Sequence, residues 1–221
     1  MHLVPIVAVS RNSKPRIVLF GGTDPEFLGC AREQITDHVA GRLDHPTAKA
    51  RLRKFLGARG YQPAPGDKGT INDFEGDERL DLILQANFRL ERGYLRWEKG
   101  QTKAMLEAWP AQEVVALSNG VAYAAAWAAA GGVMVEDRMI ALLDDPVWEK
   151  FSPFGLPYEP FALDGSLRVR GLLRTEWVGL NPFQAEPHPK GLTRSFAEDL
   201  EIAETRCDEI LRGLAAGALP S

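Results

Sequence analysis

Apolar positions along this chain change period several times, and each change predicts an element. Two short β-branched runs, "LVPIVAV" and "RIVLF", flank the polar turn "SRNSKP" and predict a hairpin. Beyond "FGGTDPEFL", Asp24 can cap a helix with Pro25 at its first position, and Leu28, Ala31, Ile35 and Val39 recur at helical spacing. A second helix is expected from near Pro46, burying Leu52, Phe55 and Leu56. The strongest period lies in "ERLDLILQANFRLERGYLRWEKG", where Leu80, Ile83, Asn87, Leu90, Tyr94 and Trp97 share one side of a long central helix. Asn87 interrupts that apolar stripe, and it is expected to be buried with its amide bonded to neighbouring backbone.

After Pro110 the pattern shortens. "QEVVALS", "RMIALL" and "LRVRGLL" predict strands, and "VAYAAAWAAAGG" predicts an alanine-rich helix stopped by Gly131 and Gly132. "SFAEDLEIAETRCDEILRGL" predicts a last helix opened by a Ser195/Glu198 capping box, with Leu200, Ala203, Cys207, Ile210 and Leu214 on its buried face. The sum is an α+β fold, helix-dominated, with a small antiparallel sheet and a long central helix. The Pro/Gly/Asp-rich stretch 63–76 is expected to act as a linker between a hairpin-plus-helices part, residues 1–62, and an α+β domain with the C-terminal helix, residues 77–221. Between the second and third predicted strands runs "DDPVWEKFSPFGLPYEPFALDG", dense in proline and aromatic residues. Each X-Pro step biases its backbone toward extended forms, and its rings bring large apolar area with little rotamer freedom to lose.

Composition narrows the function classes only a little. The 221 residues carry a net charge of −4, so the molecule as a whole is not built to coat nucleic acid. Its two cysteines, Cys30 and Cys207, form no C-x-x-C pair and are expected as reduced, buried thiols. No run has the length of a membrane span, and "MHLVPIVAVSRNSKPR" lacks the basic start and long apolar stretch of a signal peptide. A soluble protein with no membrane contact, remaining in the cytoplasm where it is made, is the expectation.

Candidate chemistry is sparse. "LFGGTDPEF" lacks the Lys-Ser/Thr of a phosphate-binding loop, and Asp24 and Glu26 would repel an anion there. The four histidines, His2, His38, His45 and His188, show no metal-ligand spacing. No G-x-S-x-G elbow is present. Adjacent acids at Glu136-Asp137 and Asp144-Asp145 are expected to face solvent. No catalytic residue, metal ligand or cofactor is therefore assigned. "HPTAKARLRKFLGARG" carries Lys49, Arg51, Arg53 and Lys54 without an acid, a candidate electrostatic contact for DNA phosphates or an acidic protein face. Two other readings stay open: a small hydrolase or nuclease built from scattered acids and His188, and a DNA-binding accessory protein.

A family resemblance favours a third. "ERLDLILQANFRLERGYLRWEKGQ", followed by "AWPAQEVV", resembles the helical core of phage minor head proteins, the Mu F-like head-morphogenesis family. Ala86-Asn87 and Gly93-Tyr94 stand where that family has a Thr-Asn pair and a small-aromatic turn, the threonine being absent here. "AAGG" at 129–132 and "RMIALLDDPVWEKFSPFGLPYEPF" are similar to the family's strand, its "dDP-W" turn and its Pro-Pro-Phe-like segment, with Pro157, Tyr158, Pro160 and Phe161 in the last. Where Mu-type members often carry a Cys-Arg-Cys strand, this chain has "DGSLRVRGL", so no metal or thiol role follows. The resemblance spans roughly 77–180. It implies a low-copy, non-enzymatic capsid-assembly role: contact with the portal or major capsid protein in the host cytoplasm, then a place in the virion head. Tyr94, Trp97, Trp148, Tyr158 and Phe161 are the expected packing or interface aromatics. The proline-aromatic segment is expected to pack across the small sheet.

Overall fold

The computed structural model describes residues 25–163, 166–180 and 195–215. The predicted hairpin, the Asp24 cap, His2 and His188 lie outside them. The described residues form two compact units. One holds the residues up to Phe88 together with those from Cys207 onward, and the other runs from Arg89 to Arg206.

The first unit contains α1 (Pro25–Val39), α2 (His45–Ala58) and the start of α3 (Asp77–Gly100). α2 begins one residue before Pro46, because Asp44 takes extended backbone (φ −78°, ψ 160°) and its carboxylate accepts the Thr47 amide at 2.8 Å. Ala31, Ile35, Leu52, Leu56, Leu80 and Ile83 are buried as the periodicity indicated, Ala48 joins them, and Val39 and Phe55 are only half-buried. Residues 63–76 are a succession of tight turns within this unit. The carboxylate of the buried Asp73 accepts the Gly69 and Glu75 amides at 2.9 and 3.0 Å, and the Phe74 amide donates to the Tyr61 hydroxyl at 3.0 Å. The boundary between the two units falls inside α3, at Phe88/Arg89.

The second unit takes up the rest of α3, then α4 (Lys103–Ala108), β1 (Ala111–Ala116), α5 (Gly120–Ala129), β2 (Met134–Val135), β3 (Arg138–Leu142), α6 (Val147–Phe151), β4 (Leu167–Leu172), α7 (Arg174–Leu180) and the start of α8 (Phe196–Ala215). Its four strands are antiparallel in the order β2-β3-β1-β4. The fold is helix-dominated α+β with a small antiparallel sheet, as the pattern predicts. The two-residue β2 was too short to show a period. It pairs with β3 through a two-residue turn in which Glu136 and Asp137 both take positive φ (49° and 60°), so these adjacent acids serve as hairpin corners.

Register and alternation assign the sheet's two faces. Val114, Met139, Ala141 and Leu167 pack with Tyr123 and Trp127 of α5 and with Trp148, Phe151 and Phe161. Ala111, Ile140 and Leu172 pack on the other side with Val135 and with Trp177 of α7. The proline-aromatic stretch contains α6, whose first amide, that of Val147, donates to the Asp145 carboxylate at 2.8 Å, and it runs buried from Phe154 through Ala162 except at Gly155 and Glu159. α8 opens with the expected capping box: the Ser195 amide donates to Glu198 at 2.6 Å, and the Glu198 amide to the Ser195 hydroxyl at 3.4 Å.

Asn87 is 4% exposed, and its Nδ2 donates to the Ile83 carbonyl at 2.7 Å. Asn87→Leu should lower stability by about 1–3 kcal/mol through polar groups left without partners. The urea midpoint measures this, and an unchanged midpoint would contradict it.

Candidate functional site

The segments that carry the resemblance meet in the second unit. Gly93 lies so close to the proline segment that a Cβ there would stand 2.1 Å from the Glu159 carbonyl oxygen. One residue on, Tyr94 meets the Tyr158 ring edge-on at 5.8 Å, and Trp97 meets the same ring at 5.8 Å. Phe196 packs on Tyr94 at 4.8 Å, and the Tyr158 hydroxyl donates to Asp199 at 2.8 Å. Arg96 and Glu159 form an ion pair at 2.5 Å. Glycine at position 93 is therefore a steric requirement, because any side chain would displace a backbone carbonyl.

The five aromatic candidates divide into two groups. Tyr94, Trp97 and Tyr158 form the cluster just described. Trp148 and Phe161 belong to the core on the sheet, where Trp148 contacts Trp127 at 5.1 Å and Phe161 at 5.4 Å. Trp148 is fully buried and its indole donates to the Leu142 carbonyl at 2.6 Å. Trp148, Tyr158 and Phe161 are thus interior packing residues, while Tyr94 and Trp97 are half-buried.

Beside the first cluster lies a cavity of about 300 Å³. The end of α3 contributes Trp97 to its lining and the turn after it Gln101, α4 and its C-cap contribute Met105 and Trp109, and the sheet contributes Gln112, Val169 and Gly171. Pro157 and Tyr158 complete it. Trp109 lies over the Gly171 backbone, where a Cβ would be 3.3 Å from its ring. Two lining side chains are electrostatically incomplete. Trp97 Nε1 and both amide atoms of Gln101 are buried and, among the described residues, have no hydrogen-bond partner. Such groups cost about 1–3 kcal/mol each. Periodicity identifies Trp97 as apolar stripe, but Gln101, Met105 and Trp109 fall outside any period, and only "AWPAQ" beside the first strand of the sheet could have drawn attention to them.

The basic residues divide as well. Lys49 bonds Asp77 at 2.8 Å and Asp81 at 3.0 Å, and Arg53 bonds Asp77 at 2.9 Å and the Glu75 carbonyl at 3.1 Å. The Lys49 ammonium, assisted by Arg53, holds the Asp77 carboxyl below its usual range. His45 adds a 2.7 Å contact to Asp81. Arg51 reaches Gln34 at 3.4 Å, and Arg51 and Lys54 are exposed.

A second charged cluster has no signature in the sequence because its members lie on three strands and a helix. Glu113 accepts from Arg138 at 2.9 and 2.7 Å and from Arg170 at 2.7 Å, and Glu176 of α7 bonds Arg170 at 2.7 Å and Arg138 at 3.2 Å. The Arg138 hydrogen bonds, reinforced by Arg170, hold the Glu113 carboxyl below its ordinary value against the opposing effect of burial. Among the described residues no group of histidine, cysteine or acidic side chains could hold a metal ion, and no helix is long and apolar enough to cross a membrane. Comparison with protein-family models, with curated proteins and with solved structures finds no match to the chain.

Gly93→Ala should destabilise by about 1–3 kcal/mol, the usual cost of overpacking a closed site, and the melting transition measures it. Loss no larger than that of Gly100→Ala, a glycine with nothing within 4 Å of where its Cβ would stand, would disprove the close approach. The Glu113 network predicts a pH dependence. Its carboxyl has a lower pKa folded than unfolded, so its stabilisation is complete above the unfolded value of about 4.3 and is lost as pH falls through the folded value. Denaturant midpoints should therefore drop on acidification below about pH 4.3, and the drop should be smaller in Glu113→Gln.

Proposed function

We propose that this chain is a phage or prophage minor head protein, a non-enzymatic assembly factor that contacts the portal or inner shell of the head. The observation that supports it most is the meeting of Gly93-Tyr94 with Pro157, Tyr158 and Glu159. These are the positions that carry the resemblance, and some 65 residues of chain separate them. Unrelated scraps of sequence similarity have no reason to form one packing unit. The proline segment also lies on the sheet, through Phe161, as the family resemblance implies.

The surface chemistry is that of a docking protein. The cavity beside Tyr158 has aromatic walls, and the charged groups that line it, Arg96 and Glu159, are bonded to each other. On the basic helix α2, Lys49 and Arg53 already hold Asp77, which leaves Arg51 and Lys54 as the outward charges. That is a small electrostatic footprint for a duplex, whose binding scales with the number of phosphates neutralised. A protein surface is the better match.

Mass spectrometry of gradient-purified particles from an induced culture of the source strain tests the reading. Enrichment of the chain with portal and capsid bands, at low copy, is expected. Particles that form while the chain stays in the unassembled fraction would remove it as a virion component.

A further inference from the structure

We propose that the cavity beside Tyr158 recognises one apolar residue and its flanking amide in an extended peptide segment of a partner protein. Trp97 lies in the last turn of α3 and Gln101 in the turn that follows it, and both line the cavity. Between them they hold two donor nitrogens and one acceptor oxygen that, among the described residues, find no partner. This is the complement of a peptide group, which offers one carbonyl and one N–H, with a second carbonyl close by along the chain.

The walls select the rest of the ligand. Trp97, Trp109, Tyr158 and Met105 surround an apolar space, the setting in which aromatic rings and a pliable thioether grip a hydrophobic side chain. A volume of about 300 Å³ is at the small end of ligand sites, enough for one residue and its amide. Arg96 and Glu159 neutralise each other at 2.5 Å, so the lining favours an uncharged occupant over a phosphate or a free carboxylate. The orphaned atoms are covered by the wall, so engagement requires the Trp97 indole to tilt and the Gln101 side chain to turn into the space. Its unbranched stem allows that motion, and the hydrogen bonds gained drive it. The inference deepens the assembly reading and rests on it for the choice of a protein partner. The cavity's chemistry stands apart from that reading.

The test is titration of the ¹⁵N-labelled full chain, observing the indole N–H signals of its five tryptophans. The probes are N-acetyl-leucine N-methylamide, the corresponding methyl ester, and capped pentapeptides with a central leucine. Trp97→Phe identifies the Trp97 signal. The expected result is a shift of that signal with the amide, an affinity roughly three- to tenfold weaker for the ester, and tighter binding of the pentapeptides than of the single residue. Gln101→Met should lose a similar factor for the amide and show little preference for it over the ester. The amide/ester comparison on the unmodified chain needs no variant to fold.

Indole signals unmoved at millimolar amide would overturn the proposal. So would equal affinity for amide and ester, which describes a merely apolar hole. Pentapeptides that bind no more tightly than the single residue would overturn the peptide assignment in favour of a small amide ligand. Should the chain be missing from purified particles while the peptides still bind with the expected preference, the minor-head reading falls and this inference stands.

Discussion

A four-stranded sheet with strands of two to six residues cannot hold itself together, and the second unit is organised around covering both of its faces. One face takes α5, α6 and the proline-aromatic segment, and the other takes α7. The first covering is the more demanding, because it must come largely from a connection with little regular structure. Proline and aromatic residues answer that need: the prolines limit the conformations the segment would otherwise sample, and the rings bury area efficiently. The density of such residues between Asp144 and Ala162 is thus a packing solution for a small sheet.

The same constraint explains Gly93. A long helix brought against a proline-rated bend needs a place where backbone meets backbone, and Gly93 provides it against the Glu159 carbonyl. Tyr94 and Trp97 then lie beside Tyr158, which in turn anchors to Asp199 at the start of α8. A glycine in the middle of a 24-residue helix weakens that helix locally, and the contact it permits offsets the weakness.

Much of this was legible in the sequence, though unevenly. Long periods transferred well: Leu80, Ile83 and Leu90 on α3, and Leu200, Ala203 and Ile210 on α8, are all buried. The capping box at Ser195 and the burial of Asn87 follow from local chemistry, which sequence carries directly. Short elements did not transfer. α4, α6, α7 and β2 have two to seven residues, less than two helical turns or one strand period, so no periodicity could announce them. The candidate site was half legible. Trp97, Tyr158 and Gly93 stood out as residues, but the cavity also needs Gln101, Trp109 and Gly171, which only the tertiary fold brings together. Charge was the least legible property. The acid-free run from Lys49 to Lys54 suggested a free basic face, whereas Asp77 and Asp81 supply its counter-charges from about 30 residues away.

The ends of the sheet set how this molecule can be crowded with others. One border strand, β2, offers two residues of backbone, too few to template a neighbour. The other border among the described residues, β4, carries the exposed Arg168, so an incoming copy of the same strand would bring a like charge toward it. Neither border invites extension into a continuous ribbon. Among the described residues the sheet therefore offers a neighbour little backbone to pair with, and contact with other molecules falls to side chains.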